Sequence, residues 1–468
     1  MHYTPKAAAL ILMSALLAAC SSGGSFTPLT TAPAHSPSSS GAKPAQFLTA
    51  ATPATNTDDF TYDASPPNTA LSQQDSSNTP NAFFPAPSAC IAAFGLECLS
   101  PAQMRRAYNV PSTLDGTGQT IVIVEAYGSA TIQSDLHIFD IVNGLPDTTL
   151  NIVYPAGPPT ATNGGWAGET SLDVEWAHAI APRATIDLVV AKTNRNSDLM
   201  PAEQYAIQNH LGNIISMSFG ASEPSIPGGV NNANLQRAHD TFQNAKEAGI
   251  TMIASSGDAG ASNGRSTLTP QFPAVDPLVL SVGGTDLFTD DAGNYQSETV
   301  WNDTNPAQCP FGCLDGIFGA TGGAPSSFFA TPSYQQMLTH SPSRETADVG
   351  YDAGIYTGVW VIDSFGVPPG FFGFGIFGGT SAGAPQWAGI IALANQAAGH
   401  PLGFVNQALY VVGKSGQYNS AFHDVTTGNN ALFSLPGESA GPGYDMPTGL
   451  GTPNVANLIP ALIAAWSN

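Results

Sequence analysis

Five short, nearly continuous apolar runs recur between residues 120 and 285. They are TIVIVEAYG at 120–128, ATIDLVVAK at 184–192, NIISMSFG at 213–220, GITMIASSGD at 249–258 and LVLSVGGT at 278–285. Their Val and Ile content and their length predict strands covered on both faces, the pattern of a parallel sheet. Between them lie helix-like segments, AEQYAIQNHL at 202–211 and NANLQRAHDTFQNAKEAG at 232–249. Strands alternating with helices predict an α/β fold in three layers, αβα, around a mainly parallel sheet. Reactive groups in such sheets gather at the carboxyl ends of strands. Glu125, Ser218 and Asp258 all fall at or just beyond those ends.

The amino-terminal part has another character. Lys6 precedes AAALILMSALLAAC, an apolar run too short to span a bilayer as a mature helix, which ends in small residues before Cys20. The tetrad Leu17-Ala18-Ala19-Cys20 resembles the bacterial lipoprotein cleavage box, in which the cysteine is lipidated and becomes the new amino terminus. The alternative is an ordinary secretory signal cut nearby, and both imply export. From Ser21 to about Pro87 the chain is dominated by Ser, Thr, Pro, Ala, Gly and Asn, a composition that cannot bury enough apolar surface to fold alone. The expected organisation is a signal peptide at 1–19, a flexible tether at 20–92 and a catalytic domain at 93–468, held at the cell envelope by the lipid on Cys20.

Charge narrows the function. Across 468 residues, 12 Lys and Arg stand against 34 Asp and Glu, for a formal charge of −22. Phosphate binding needs clustered cations, so this balance argues against nucleic acid as a partner. The same balance fits work in acid, where a chain poor in cations develops less positive self-repulsion as its carboxylates protonate. Apart from Cys20 the cysteines are Cys90, Cys98, Cys309 and Cys313. In an oxidising compartment they allow three pairings, of which Cys90–Cys98 with Cys309–Cys313 is the simplest.

One serine stands out. GGTSAGAPQWAGI, residues 378–390, places Ser381 in a glycine-rich turn before a helix-like run. A serine hydroxyl is a poor nucleophile until a base takes its proton. None of the nine histidines sits in a glycine-flanked turn opening a helix, so the expected base is not histidine. In GETSLDVEWAHAIAP, residues 168–182, Glu169 and Asp173 are four apart and share one helical face. Such a pair is commonly a solvated surface feature. Here Trp176, Ala177 and Ile180 continue the face of Asp173, and buried paired carboxylates tend to mark function. Asp258, in SSGDAG, reads equally as a turn or helix-cap residue.

Taken in order, these residues resemble the sedolisins, the serine-carboxyl peptidases with a subtilisin-like fold. The resemblance runs from about Leu99 to the carboxyl terminus, through GQTIVIVEAYG, GETSLDVEWAHAIAP, SSGDAG, FPAVDPLVLSVGGT, GATGGAPSSFF, GGTSAGAP and GYDMPTGLGTP. It implies Ser381 as nucleophile, Glu169 as general base and Asp173 as the acid that orients Glu169 and shares its proton. Asp258 is implied as donor to the tetrahedral oxyanion, and Glu125 as an acid hydrogen-bonded to the catalytic pair, its alternative being a surface acid at a strand end. One structural calcium ion is implied, on the carboxylates of Asp424 and Asp445 and the carbonyls of Val425, Gly441 and Gly443. A free Glu titrates about two units below a free His, so a carboxylate base works where imidazole is already charged. Asp258 donates only when protonated. One ionised and one neutral carboxyl give a bell-shaped acidic profile.

Two departures stand out. Many relatives begin with a large folded propeptide, whereas signal and tether alone are expected here. Where relatives often carry Trp in the segment matching Ser216–Gly220, this chain has Phe219, which lacks an indole N–H. The expected activity is that of a monomeric, acid-acting endopeptidase on polypeptides. Tripeptide release and a catalytically silent binding protein are the alternatives.

Overall fold

The computed structural model describes residues 59–64, 72–75, 85–304, 318–368 and 372–467. The signal segment with Cys20, and the Cys309 and Cys313 pair, lie outside the described residues. In chain order the strands are β1 (Asp63–Ala64), β2 (Ser72–Asp75), β3 (Thr120–Ala126), β4 (Leu150–Val153), β5 (Thr185–Ala191) and β6 (Ile214–Met217). They continue with β7 (Phe219–Ser222), β8 (Thr251–Ser255), β9 (Gln271–Phe272), β10 (Val279–Thr289) and β11 (Tyr295–Val300). The helices used below are α1 (Pro87–Phe94), α2 (Gly164–Ile180), α3 (Asn196–Gln208), α4 (Ala233–Glu247) and α5 (Thr380–Ala398).

The central sheet runs β11-β10-β8-β6-β3-β5-β4, and the strand Val349–Asp352 also pairs with β10. Neighbours are parallel from β10 to β4, and only β11 is antiparallel, at one edge. Each of the five apolar runs supplies one strand of this parallel part. Both faces are covered, as their composition requires. Ile121 and Ile123 of β3 join one core with α2 and α5, while Val122 and Val124 join a second core with α3 and α4. The architecture is the subtilisin-like three-layer α/β fold.

Helix α2 is capped by Asn163, whose side chain accepts from the Trp166 N–H. Every residue from Trp166 to Ile180 is buried. The helix therefore has no solvated face on which Glu169 and Asp173 could sit. Both are enclosed because α2 is packed directly against α5 as well as against the sheet.

Folded structure also begins before residue 93. That boundary falls inside α1, and the Cys90–Cys98 disulfide, with Cα atoms 6.0 Å apart, staples this helix to the following segment. Further upstream, β1 pairs antiparallel with β7 and β2 pairs antiparallel with the strand Phe372–Phe377. The reason for the first pairing is a period-two pattern inside a polar stretch: Phe60, Tyr62 and Ala64 are buried while Thr61 and Asp63 are exposed. Among the described residues no helix is long and apolar enough to cross a membrane.

Candidate active site

Five elements deliver polar side chains to one place. Ser381 opens α5, Glu169 and Asp173 stand on α2, and Glu125 ends β3. Ser218 lies between β6 and β7, and Asp258 follows β8. Glu125, Glu169, Asp173, Ser218 and Ser381 are fully buried, and Asp258 is half-buried.

The spacing of the two helices depends on a missing side chain. A Cβ on Gly389 of α5 would stand 2.7 Å from the Ile180 Cβ and 3.3 Å from the Ala177 carbonyl oxygen of α2. Only glycine lets the helices approach this closely, and the approach brings the Ser381 hydroxyl before the Glu169 carboxyl. No donor completes full hydrogen-bond geometry with either Glu169 oxygen, and Ser381 Oγ completes no bond of its own. The serine hydroxyl is nevertheless close enough to draw the Glu169 pKa down. Unliganded sites commonly hold such contacts loosely and tighten them around substrate.

Three buried carboxyls adjoin one another. Burial, then the Asp173 charge, pushes Glu169 well above the ordinary carboxyl range, against the opposing pull of the serine hydroxyl. Asp173 is pushed up to about 8 by burial, moderated by the nearby Ser218 hydroxyl and Glu125 carboxyl. Glu125 is raised by burial and then by the charges of Asp173 and Glu169. Three carboxyls without a cation cannot all ionise, so the chain Glu125–Asp173–Glu169 shares its protons.

Asp258 is gripped from the serine side. Its Oδ1 accepts from the Thr380 N–H at 2.8 Å and from the Thr380 hydroxyl at 2.7 Å. The Thr380 Oγ1 in turn accepts from the Gly257 N–H at 3.0 Å. Gly379 has φ of +105°, and a Cβ there would lie 2.6 Å from Asp258 Oδ2. The carboxyl is thus fixed against the turn that presents Ser381.

Three further neighbours of the site are not assigned a role by the sequence motifs. Thr380 adjoins Ser381 in the chain, a position that was its only signal. Ser218 stands at a strand end without a motif; its hydroxyl is close enough to draw the Asp173 pKa down and donates to the Ser381 carbonyl at 3.5 Å. Asp303 accepts from Trp301 Nε1 at 2.8 Å, and is pushed up to about 7 by burial, with a contribution from the charge of Asp258. No motif marks it. Phe219 is buried and packs its ring 6.1 Å from that of Trp166.

Elsewhere in the fold, the loops of Asp424 and Asp445 meet. The Gly443 N–H donates to both Asp424 oxygens, at 3.1 and 3.0 Å, and the Gly441 N–H donates to Asp445 Oδ2 at 3.0 Å. Burial pushes Asp445 up to about 6, with a further contribution from the charge of Asp424. Val425 is buried beside them in sequence. Among the described residues no group of three or more His, Cys, Asp or Glu side chains is disposed to hold a metal.

The profile of the subtilase family matches residues 161–409, more than half of the chain. Kumamolisin of Bacillus sp. (strain MN-32) is 34% identical over 384 residues, 79% of this chain and 64% of that protein. Sedolisin of Pseudomonas sp. (strain 101) is 29% identical over 377 residues, 77% of this chain and 60% of that one. Tripeptidyl-peptidase 1 of Canis lupus familiaris is 31% identical over 333 residues, 64% of this chain and 52% of that one. The chain therefore spans less than two thirds of the length of these curated relatives. Among solved structures, Pseudomonas sedolisin, described as a serine-carboxyl proteinase and complexed with two molecules of pseudo-iodotyrostatin, superposes with a TM-score of 0.69 at 28% identity, covering 78% of this chain and 98% of that one. By profile, layered sheet and kinship together, the chain belongs to the subtilase family, among the relatives of kumamolisin and sedolisin.

Proposed function

We propose that the chain is a serine-type peptidase that attacks peptide carbonyls with Ser381 and uses a carboxylate as base. The observation that carries this reading is the approach of a buried serine hydroxyl to a buried carboxyl, Glu169, whose oxygens complete no hydrogen bond. In this mechanism Glu169 takes the Ser381 proton as Oγ bonds the carbonyl carbon, and returns it to the leaving amine. The acyl-enzyme is then hydrolysed by water through the same base. Asp173, with Glu125 and Ser218 beside it, holds Glu169 and shares its proton. Asp258, when protonated, donates to the oxyanion.

Acid action is proposed from the scarcity of Lys and Arg and from the likeness to serine-carboxyl peptidases. The base needs one proton lost from the carboxyl chain, the oxyanion donor needs one kept, and no imidazole takes part. Glu169→Gln preserves shape and removes the base, so turnover of denatured casein at pH 4 should fall by about 10⁴ or more with unchanged folding, as for members of one proton-transfer unit. Substantial activity in that variant removes Glu169 as base.

Endopeptidase action is the leading mode. The likeness to tripeptidyl-peptidase 1 favours tripeptide release as a second reading, and product mapping on a denatured protein separates the two. One calcium ion is proposed on Asp424, Asp445 and the carbonyls of Val425, Gly441 and Gly443. Two neighbouring carboxylates, joined by the three backbone carbonyls that the resemblance implies, would supply the hard oxygen donors this cation takes. Export, with attachment through Cys20 by a lipid, is proposed from the motif at residues 17–20. Loss of detergent-phase partitioning in Cys20→Ser is the expected result.

A further inference from the structure

Asp258 and Asp303 are set beside each other by one strip of backbone. Residues 319–322 run between the segment 257–260, which follows β8, and the segment 301–303, which follows β11. On one side the Ala320 N–H donates to the Asp258 carbonyl at 3.0 Å and the Gly322 N–H to the Gly257 carbonyl at 2.6 Å. On the other the Asp303 N–H donates to the Gly319 carbonyl at 2.9 Å and the Thr321 N–H to the Trp301 carbonyl at 3.1 Å. Ala320 thus bridges Ala259 and Asn302 at once. Two such steps, each about 4.8 Å, bring the backbones of the two acids within about 10 Å. A Cβ on Gly322 would collide with the Ser256 carbonyl oxygen, so the strip lies this near the end of β8 only because that residue is glycine.

The two carboxyls are held differently. Both Thr380 bonds go to Asp258 Oδ1, which leaves Oδ2 to carry the proton. Asp303 is 2% exposed, and its Oδ2 accepts from Nε1 of the fully buried Trp301. Burial pushes Asp303 up to about 7, against the pull of that N–H, and the charge of Asp258 adds to the rise. Behind Asp303 stands Asp286 of β10, fully buried, and raised by burial and then by the charges of Asp303 and Asp352. On the other flank Glu169 of α2 feels the charge of Asp258. Asp63 and Arg265 line the same cavity as Asp258, with Arg265 exposed and bonded to Ser222 Oγ.

Neighbouring carboxyls resist ionising together, so the pair keeps one proton beyond the pH at which a lone carboxyl gives up its own. Where that proton sits depends on what surrounds each acid. As a peptide carbonyl becomes an oxyanion, negative charge grows beside Asp258 and none grows beside Asp303. An N–H bonded to a carboxyl favours its ionised form, and the Trp301 indole supplies that bond to Asp303. The proton then belongs on Asp258 and the charge on Asp303.

We propose that Asp303 is a positioning residue: seated on Trp301 and too buried to touch substrate, it shares one proton with Asp258 and leaves it there while the oxyanion forms. This rests on the peptidase reading for its effect on turnover, but the sharing of the proton does not depend on that reading.

The test is a double-mutant cycle on the full chain, read as the pH profile of denatured-casein hydrolysis. Asp303→Asn keeps the shape and still accepts from Trp301. It should lower the alkaline limb by about one pH unit or more, the scale of coupling within a carboxyl pair. In an Asp258→Asn background, where the donor needs no proton, the same substitution should leave the limb in place. Trp301→Phe removes the indole N–H and keeps a ring; it should move the limb in the same direction by less, and it replaces Asp303→Asn in the cycle if that variant lowers the melting temperature of the whole domain. A limb that stays put, or that moves equally in both backgrounds, overturns the proposal. A second measurement needs no turnover. In the Ser381→Ala chain, infrared titration follows the carboxylic-acid C=O band that Asp258→Asn abolishes, and Asp303→Asn should make that band vanish about one pH unit or more lower. A band indifferent to Asp303→Asn also overturns the proposal. Absence of hydrolysis by every chain strikes at the peptidase reading alone, and the infrared result then decides the pair.

Discussion

Glu203 offers a measurement of buried acid uncomplicated by catalysis. It sits on α3, 1% exposed, and burial alone pushes its pKa up to about 8. Below about pH 4.5 the carboxyl is protonated whether the chain is folded or not, and its contribution is constant. Between there and pH 8 the unfolded chain gives up the proton while the folded chain keeps it. The unfolded state then binds fewer protons, and stability falls as pH rises. At about 1.36 kcal/mol per unit, the three units from pH 4.5 to 7.5 amount to about 4 kcal/mol, or about 5 °C in Tm for a domain of this size. Glu203→Gln keeps the shape and cannot ionise. In a Ser381→Ala background, which prevents self-digestion, thermal and urea unfolding should show the two chains similar at pH 4.5 and the Gln variant ahead by this amount at pH 7.5. A stability difference that does not change with pH would refute burial as the cause of the shift.

Asp258→Asn supplies a neutral donor that needs no acidic proton, so the alkaline limb of the activity profile should move upward even if the maximum falls; a fixed limb would reject Asp258 as the protonated donor. Ser218→Ala removes a nearby hydroxyl that favours ionised Asp173. The acid limb should therefore shift to higher pH, and an unmoved limb would leave Ser218 with a packing role only. Removing calcium at pH 5 should lower Tm, with roughly 2.7 kcal/mol at stake for a hundredfold excess over Kd, and should have little further effect on Asp445→Ala. An unchanged Tm after thorough chelation would reject the ion.

The parallel sheet was legible because its strands are buried on both faces and therefore apolar throughout, as in the run that becomes β3. The site was legible where chemistry forces unusual neighbours, a serine in a glycine turn and two acids one helical turn apart. Its depth was not. Whether Glu169 and Asp173 faced solvent depended on α5 closing over α2, a contact between residues two hundred positions apart that no local period reports. The docking of residues 59–64 was hidden by composition, because a strand of alternating residues within a Ser- and Pro-rich stretch is outvoted by its surroundings. Phe60, Tyr62 and Ala64 at spacing two were the available signal. Asp303 left none, since its importance comes from a loop folding back beside Asp258.

The helix seam at Gly389 constrains how this site can vary. Gly389 lies eight residues beyond Ser381, about 12 Å along the helix, and α2 and α5 there are already too close for a Cβ at 389. Any substitution at 389 can only widen their separation, so from this position the serine can be moved away from its base but never nearer. Compensation has to come from the opposite wall, and the side chain that meets position 389 is Ile180. Residues 180 and 389 should accordingly vary as a pair, a larger group at one accompanied by a smaller group at the other. The reactivity of the serine is then partly inherited through two residues that touch no substrate.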